Sequence, residues 1–383
     1  MLNNVFNFIK NYGIAFIILC FALIMNHSFG YITIVGLFVV ICFLSITMQK
    51  HVITKQDFLM LLCLFTYAFV SYINGLELDI YSILLNIIAP FFFFQYGEFS
   101  AKKMKTENTM IMFWIIVIAC YCLDVFFIGI KNVISTGQIV GSIDARYLNV
   151  ESSGVTYALS ATQVGLCLDL AVVGLPMVII AKEKAQRLMF FILFIIALIV
   201  TVNMLNRTAI IIAMTCFMVV VGYRFRKNKT VLILSIILAL ILILIFAYAG
   251  RGNSELLELY TERNEDFATA GNRTNRWSYA IEQLFMYPFG WYDGTIYHVH
   301  NMWLDIARIS GIIPFLILAY FAGKNIIGSF VLIKRYNTPL MYLMLGLNVC
   351  FFTSCFVEPI VGGIHFMLYC MLWGFQTTLN IKK

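Results

Sequence analysis

Arg273, Arg276 and His300 fall within one polar stretch, Arg251 to Gly311, of a chain that otherwise reads as membrane. The stretch also carries Arg251, Arg263, Arg308 and a second histidine, His298. A guanidinium is a planar fork of donors that matches phosphate oxygens and never deprotonates. Imidazole is the side chain whose ordinary titration range lies nearest neutrality, which suits it to act as a general base. Fixed cations beside an imidazole at a membrane surface point to chemistry on an anionic, lipid-linked substrate.

The elements that must position these groups can be read from the local pattern. Trp277, Ile281, Leu284 and Phe285 recur at helical spacing, with Arg273 and Arg276 near the first turn and Pro288 closing the run. This predicts a helix lying on the outer membrane surface. The segment from Trp291 to Tyr297 is aromatic and glycine-containing, so its rings either stack on sugar faces or anchor at the interface. His300-Asn301 then opens the next apolar segment. A histidine there is either a hydrogen-bonded residue at a helix start or a base, and its place after an arginine-rich loop favours the base. Earlier, Asn203-Met-Leu-Asn-Arg-Thr208 forms a tight outer turn that leads into an apolar helix at Arg207. Arg207 would sit at headgroup depth beside a helix N-terminus, where a phosphate would find both. Alternatively it snorkels and merely anchors the helix.

The membrane reading rests on composition. The chain has 383 residues, 62% of them hydrophobic and 12% charged, with a mean hydropathy of +0.90. Soluble domains are about 45–50% apolar and about 25% charged. The apolar residues come in runs of about 17–25, long enough to cross a hydrocarbon core. The short alternating segments of a β-barrel are absent. We expect an all-α polytopic membrane protein of about twelve transmembrane helices, with a long outer loop between spans nine and ten. The spans fall at roughly 12–26, 29–48, 58–74, 80–96, 109–130, 154–181, 188–203, 207–223, 230–250, 303–323, 339–357 and 360–379. Residues 1–250 would hold the first nine, residues 251–302 the outer loop and its surface helix, and residues 303–383 the last three.

Lysine and arginine near span ends collect on the cytoplasmic side. With the N-terminus inside, that side receives most of the 26 basic residues, including the runs Lys102-Lys103-Met-Lys105 and Arg224-Phe-Arg226-Lys227. Both termini are then cytoplasmic, and the first apolar run reads as a retained helix, not a cleaved signal. The exceptions outside are Lys131, Arg146, Arg207, Arg251, Arg263, Arg273, Arg276 and Arg308, nearly all arginine. The net charge of +7 therefore sits in loops between spans and does not imply a nucleic-acid partner.

A second long outer loop, 131–153, is rich in Gly, Ser and Asn and contains Arg146. It reads equally as a sugar-binding surface or a connector. Asp124 and Asp169 fall at membrane depth, where a carboxylate is paired or functional by default; the sequence names no partner for either. The ten cysteines lie in or at the ends of apolar runs, with no disulfide framework or metal-ligand spacing. We expect no metal and no cofactor.

Three motifs resemble the bacterial O-antigen polymerase and O-antigen ligase superfamily. They are His300-Asn301 followed after nine residues by Gly311, Gly271-Asn-Arg273-Thr-Asn-Arg276-Trp277 leading to Pro288-Phe-Gly290, and Asn206-Arg207-Thr208 at the start of a span. The chain departs from the family at Pro314, where glycine is common. The resemblance implies metal-independent glycosyl transfer at the outer face of the bacterial plasma membrane. The donor and acceptor would be glycans on undecaprenyl pyrophosphate. Arg207 and Arg273 would offset the charge developing on the pyrophosphate leaving group, and His300 would take the proton of the attacking hydroxyl. Arg276, Asn301, Tyr297, Trp277 and Arg146 would contact substrate. Polymerisation of repeat units is the first expectation, and a chain-length regulator protein would be a natural partner. The alternatives are a ligase acting on lipid A–core, or a flippase for lipid-linked oligosaccharide.

Overall fold

Helix starts and stops follow local chemistry. The computed structural model describes residues 2–27, 31–48, 53–75, 79–137, 147–152, 155–204, 206–228, 273–291, 299–356 and 363–381, with isolated positions between 230 and 237. Helix α1 (Leu2–Ile24) is bent at Gly13, φ 71°, and α2 is Tyr31–Met48. Helix α3 (Lys55–Ile73) opens on a capping box in which Thr54 and Asp57 satisfy each other's backbone amides. Helix α4 (Ile80–Lys103) is capped by Asp79, which accepts from Ser82 N at 2.7 Å. Helix α5 (Glu107–Thr136) starts at a Thr106 cap and ends on Gly137 at φ 67°. A two-stranded antiparallel hairpin, β1 (Tyr147–Ser152) and β2 (Val155–Ser160), follows. Next come α6 (Ala161–Ala171), α7 (Gly174–Ile180), α8 (Lys184–Asn203) and α9 (Arg207–Arg224). After the described break are α10 (Arg273–Met286), α11 (Met302–Ser310), α12 (Ile312–Tyr336), α13 (Pro339–Ser354) and α14 (Ile364–Ile381).

Among the described residues, five helices are long and apolar enough to cross a membrane: α3, α4, α5, α8 and α12. Shorter apolar helices run over Gly13–Ile24, Ile32–Ser45, Val164–Ile180, Thr208–Arg224 and Pro339–Ser354. Two expected spans are altered. The span placed at 154–181 begins as strand β2, and its helix is interrupted at residues 172–173 between α6 and α7. The pairing of residues 147–152 with 155–160 is a short local addition to a chain whose described residues are otherwise helical. The span placed at 303–323 divides at Gly311 into α11 and α12. The run at 230–250 lies almost wholly outside the described residues.

The helices share two ends. At one end Arg224 Nη1 donates to Asn337 Oδ1 at 2.8 Å, and Leu340 N donates to Glu107 Oε1 at 2.8 Å. Those bonds join the end of α9 to the starts of α13 and α5, at the end carrying the lysine- and arginine-rich loops. At the other end Asn132 Nδ2 reaches Asn203 Oδ1 at 2.8 Å, closing α5 on α8.

Between the ends the core is held by backbone approach and by rings. A Cβ on Gly97 would collide with Met371 O, and one on Gly374 with Phe94 O. Helices α4 and α14 therefore cross with their backbones in contact, as small residues allow in membranes. Around the crossing, Phe113 stacks on Phe375 (5.9 Å, 12°) and Phe321 on Trp373 (5.5 Å, 16°). A buried amide cluster ties α12, α13 and α14 together. Asn348 Nδ2 donates to Gln376 Oε1 at 2.7 Å, and Gln376 Nε2 donates to Ser329 Oγ at 2.9 Å and to Asn325 O at 2.5 Å. Phe65, Phe69, Phe127 and Ile192 stay exposed on the outside, as expected where the solvent is lipid.

Gly374→Ala is expected to lower the Tm of the purified protein in detergent, by the equivalent of about 1–3 kcal/mol of overpacking. Gly323→Ala, whose Cβ meets nothing within 4 Å, should be neutral or raise it, since Ala outranks Gly in a helix by about 1 kcal/mol. Equal effects from the two would argue against the tight α4–α14 crossing.

Candidate functional site

Helix α10 carries the two loop arginines, and the four apolar residues expected to recur along it divide between two faces: Trp277 and Leu284 turn inward, Ile281 and Phe285 do not. Ala280 and Leu284 turn inward onto Val299, Ala307 and Trp291, forming a small core of their own. Ile281, Phe285 and Met286 remain exposed on the opposite face. Trp277 is partly buried, and its Nε1 donates to Val299 O at 3.1 Å. That bond ties the first turn of α10 to the residue before His300. Arg273 lies four residues before Trp277, about 6 Å along the helix at 1.5 Å per residue. Arg273 and Arg276 are both half-buried.

His300 stands at the turn between this core and α11, with φ 55°. The left-handed region costs an ordinary residue about 1–2 kcal/mol, though histidine is among the types found there. Neighbouring bonds hold the conformation on every side. Val299 N donates to Asp305 Oδ1 at 3.0 Å while Val299 O accepts from Trp277. Asn301 caps α11, its Oδ1 accepting from Leu304 N at 3.2 Å. Met302 N donates to Cys355 O at 2.8 Å, which pins the start of α11 to the end of α13. Asn301 itself is buried, 3% exposed, and its side-chain oxygen serves the helix start. The His300 ring is half-buried.

The two glycine-containing motifs turn out to be halves of one joint. Gly311, φ 78°, ends α11, and a Cβ there would meet Pro288 O at 2.5 Å and Phe289 C at 2.8 Å. Gly290, φ 90°, faces back, and its Cβ would meet Asn74 Nδ2 at 2.6 Å and Arg308 O at 2.9 Å. Ile312 N donates to Pro288 O at 2.8 Å and Trp291 N to Arg308 O at 2.7 Å. Asn74, just past the end of α3, clasps both halves: its Nδ2 reaches Phe289 O at 3.0 Å and Ile309 O at 2.9 Å. The Pro-x-Gly turn and the motif glycine thus fix α10 and its arginines relative to α11 and His300.

Arg207 is the first residue of α9; its side chain lies outside the described residues. Helix α9 runs antiparallel to α13, with Arg224 at Asn337 and Cys216 Sγ at Gly346 O, 3.7 Å. The start of α9 is therefore level with Ser354 and Cys355, the end to which Met302 is pinned. Through the Trp277–Val299 bond the structure sets helix α10, which bears Arg273 and Arg276, against the turn of His300 and Asn301, and it sets the Arg207 backbone at the same end of the bundle. Arg146 and Tyr297 lie outside the described residues. Helices α9 and α11 both begin at this end and direct their positive dipole ends toward it.

Several partners had no signal in the sequence. Arg308 counts among the outer cations by position, yet it is 4% exposed and its Nε lies 3.4 Å from Asp305 Oδ1. Behind Cys355, Ser354 Oγ lies 2.9 Å from His365 Nε2, and Tyr121 OH lies 3.4 Å from His365 Nδ1, all buried. Asp124 meets His27 Nδ1 at 2.5 Å, joining α5 to the turn after α1. Asp169 is buried within α6. Among the described residues no three His, Cys, Asp or Glu side chains gather as a metal ion would require.

Gly311→Ala should lower thermal stability by about 1–3 kcal/mol through its backbone conformation alone, since φ 78° with ψ −174° is a region essentially confined to glycine, with more from the clash on Pro288 O. Asn74→Ala removes two hydrogen bonds worth about 0.5–1.5 kcal/mol each. Thermal unfolding of the two variants in detergent checks both; a Gly311→Ala protein as stable as wild type would contradict the joint. No protein-family model matches the chain, and no curated protein matches it, so the reading of this site rests on its own residues.

Proposed function

We propose that this protein is a membrane glycosyltransferase that polymerises oligosaccharide repeat units carried on undecaprenyl pyrophosphate, as the O-antigen polymerases do. In this reading the chain crosses the membrane about twelve times. Both termini are cytoplasmic, and the end bearing His300 faces outward. One observation carries the proposal: the helix with Arg273 and Arg276 is bonded through Trp277 to the residue before His300, while the α9 start at Arg207 lies at that same end.

The chemistry asks for that pairing. A hydroxyl oxygen of the acceptor glycan attacks the anomeric carbon of the donor and forms the new glycosidic bond. The bond from that carbon to the pyrophosphate oxygen breaks, and its electron pair leaves with the lipid pyrophosphate. His300 takes the hydroxyl proton as attack proceeds. Arg273 and Arg207, with Arg276 beside them, offset the negative charge that grows on the leaving group. A single in-line displacement inverts the anomeric configuration. Exposed Phe285, Met286 and Phe289 on and after α10 would seat this helix in the outer leaflet, where a lipid-linked donor is presented.

Replacing any one of Arg207, Arg273 and His300 by Ala is expected to reduce chain extension by roughly 100- to 1000-fold, the usual cost of one transition-state partner. Arg273→Lys should fail almost as badly, because an ammonium lacks the two-pronged donor set. The measurement is the glycan ladder made by cells carrying each variant, with protein level in the membrane as control. A normal ladder from Arg273→Lys would remove the pyrophosphate clamp. Deleting the protein separates polymerase from ligase: a core bearing a single repeat unit marks the former, a bare core the latter.

A further inference from the structure

The bond from Val299 N to Asp305 Oδ1 has a partner chemistry of its own. Asp305 lies one turn into α11 and is 3% exposed; Arg308, its partner through Nε at 3.4 Å, is 4% exposed. A buried ion pair is a weak source of stability, since apolar residues of similar volume often serve as well. What apolar residues cannot do is accept a hydrogen bond from Val299. The Val299 carbonyl is already taken by Trp277 on the other side. The residue before His300 is therefore gripped at both its N–H and its C=O. His300 itself sits at φ 55°, a conformation that persists only when its surroundings over-determine it.

We propose that Asp305 is a positioning residue for His300, holding the strained turn so that the imidazole points where the acceptor hydroxyl must lie, with Arg308 holding the buried carboxylate in place. The inference rests on His300 being the base of the proposed transfer. Asp305 does not touch substrate. Its oxygen fixes one peptide, and that peptide fixes the ring. Without the acceptor, the Val299 N–H loses its partner, the backbone relaxes toward an ordinary φ, and the ring swings away.

The test uses the full chain in lipid nanodiscs with a synthetic lipid-pyrophosphate glycan. It compares wild type, Asp305→Asn, and the double variant Asp305→Leu with Arg308→Leu. Chain extension is one readout; the other is the rate at which diethyl pyrocarbonate modifies His300, mapped by mass spectrometry with His27 as internal reference. Asp305→Asn keeps an acceptor oxygen and should lose no more than about tenfold in kcat, the worth of weakening one hydrogen bond. The double variant removes both charges together and should remain folded, its Tm lowered no further than one unpaired N–H accounts for, yet lose roughly 100-fold in kcat with KM little changed, as misplaced catalytic groups do. Its His300 modification rate should depart from wild type while that of His27 does not.

A double variant with wild-type kcat and wild-type His300 reactivity overturns the proposal. If the double variant does not fold, Asp305→Asn and Asp305→Ala decide it: equal losses from the two would show that the acceptor oxygen is immaterial. Wild-type protein with no chain extension, but with His300 reactivity that still depends on Asp305, would sink the glycosyl-transfer reading and leave the positioning role standing.

Discussion

An apolar helix cannot be interrupted at a membrane unless the backbone groups released by the break find partners, because no water is at hand to replace them. That constraint governs the region around Gly311. The break frees the N–H of Ile312 and the carbonyls of Arg308 and Ile309. Pro288 O takes the first, Trp291 N the second and Asn74 Nδ2 the third. Each partner comes from outside the broken helix, so the break exists only while the Pro288–Trp291 turn and the end of α3 are in place. In return the break lets α11 leave the line of α12 and lean against α10. One continuous helix over both would have carried His300 away from the arginine-bearing helix.

Three parts of the bundle converge on this turn. Helix α3 contributes Asn74 from its C-terminal end, and also packs along α11 and α12. Helix α10 contributes Trp277. Helix α13 contributes the carbonyl of Cys355, and α13 is itself fixed to α12 and α14 by the Asn348–Gln376–Ser329 cluster. The backbone crossing of α4 on α14 then sets how closely those helices approach. A site built on several rigid helices is held more tightly than one on a free loop, and here a polar loop sequence has been given that rigidity by bonds to the bundle.

Much of this was legible in the chain, and the division has a physical cause. Helix existence followed from long apolar runs, and two helix starts from Asn206 and Asn301, whose preferences are local; the caps at Thr54, Thr106 and Gly137 emerged only with the fold. The existence of α10 was legible for the same reason, but its inward face was not: Ala280 joins Leu284 there, while Ile281 and Phe285 of the expected set stay exposed. The break at Gly311 was not legible as a break, since Met302 to Tyr336 is apolar enough to read as one helix, and what divides it is a turn lying more than twenty residues earlier. The hairpin at 147–160 was missed because Val155 to Leu159 is as apolar as the helix it precedes, and only pairing with Tyr147–Ser152 decides its state. Charge alone gave no sign that Arg308, placed among the outer cations, is buried. Its burial depends on Asp305 being three residues away on the same helix face. Partners such as His27 for Asp124, 97 residues apart, carry no local signal at all.

The distribution of backbone strain bears on where the chemistry lies. Most of the described chain is locally consistent: helix formers lie in helices, and caps where helices begin. Among the described residues other than glycine, only His300 and Asn337 have positive φ. Asn337 terminates α12, where a left-handed residue is the common way for a helix to end. His300 has no such excuse, because it precedes a helix instead of closing one. Two of the positive-φ glycines, Gly290 and Gly311, lie in the joint beside it, and the buried Asp305–Arg308 pair lies one turn further on. An unfavourable backbone conformation, a close glycine-to-backbone contact and a costly buried charge pair therefore occupy one short segment, each supported by hydrogen bonds from elsewhere in the fold. Stability by itself would select against all three. Their concentration around one half-buried imidazole is what a requirement for a fixed ring position would produce.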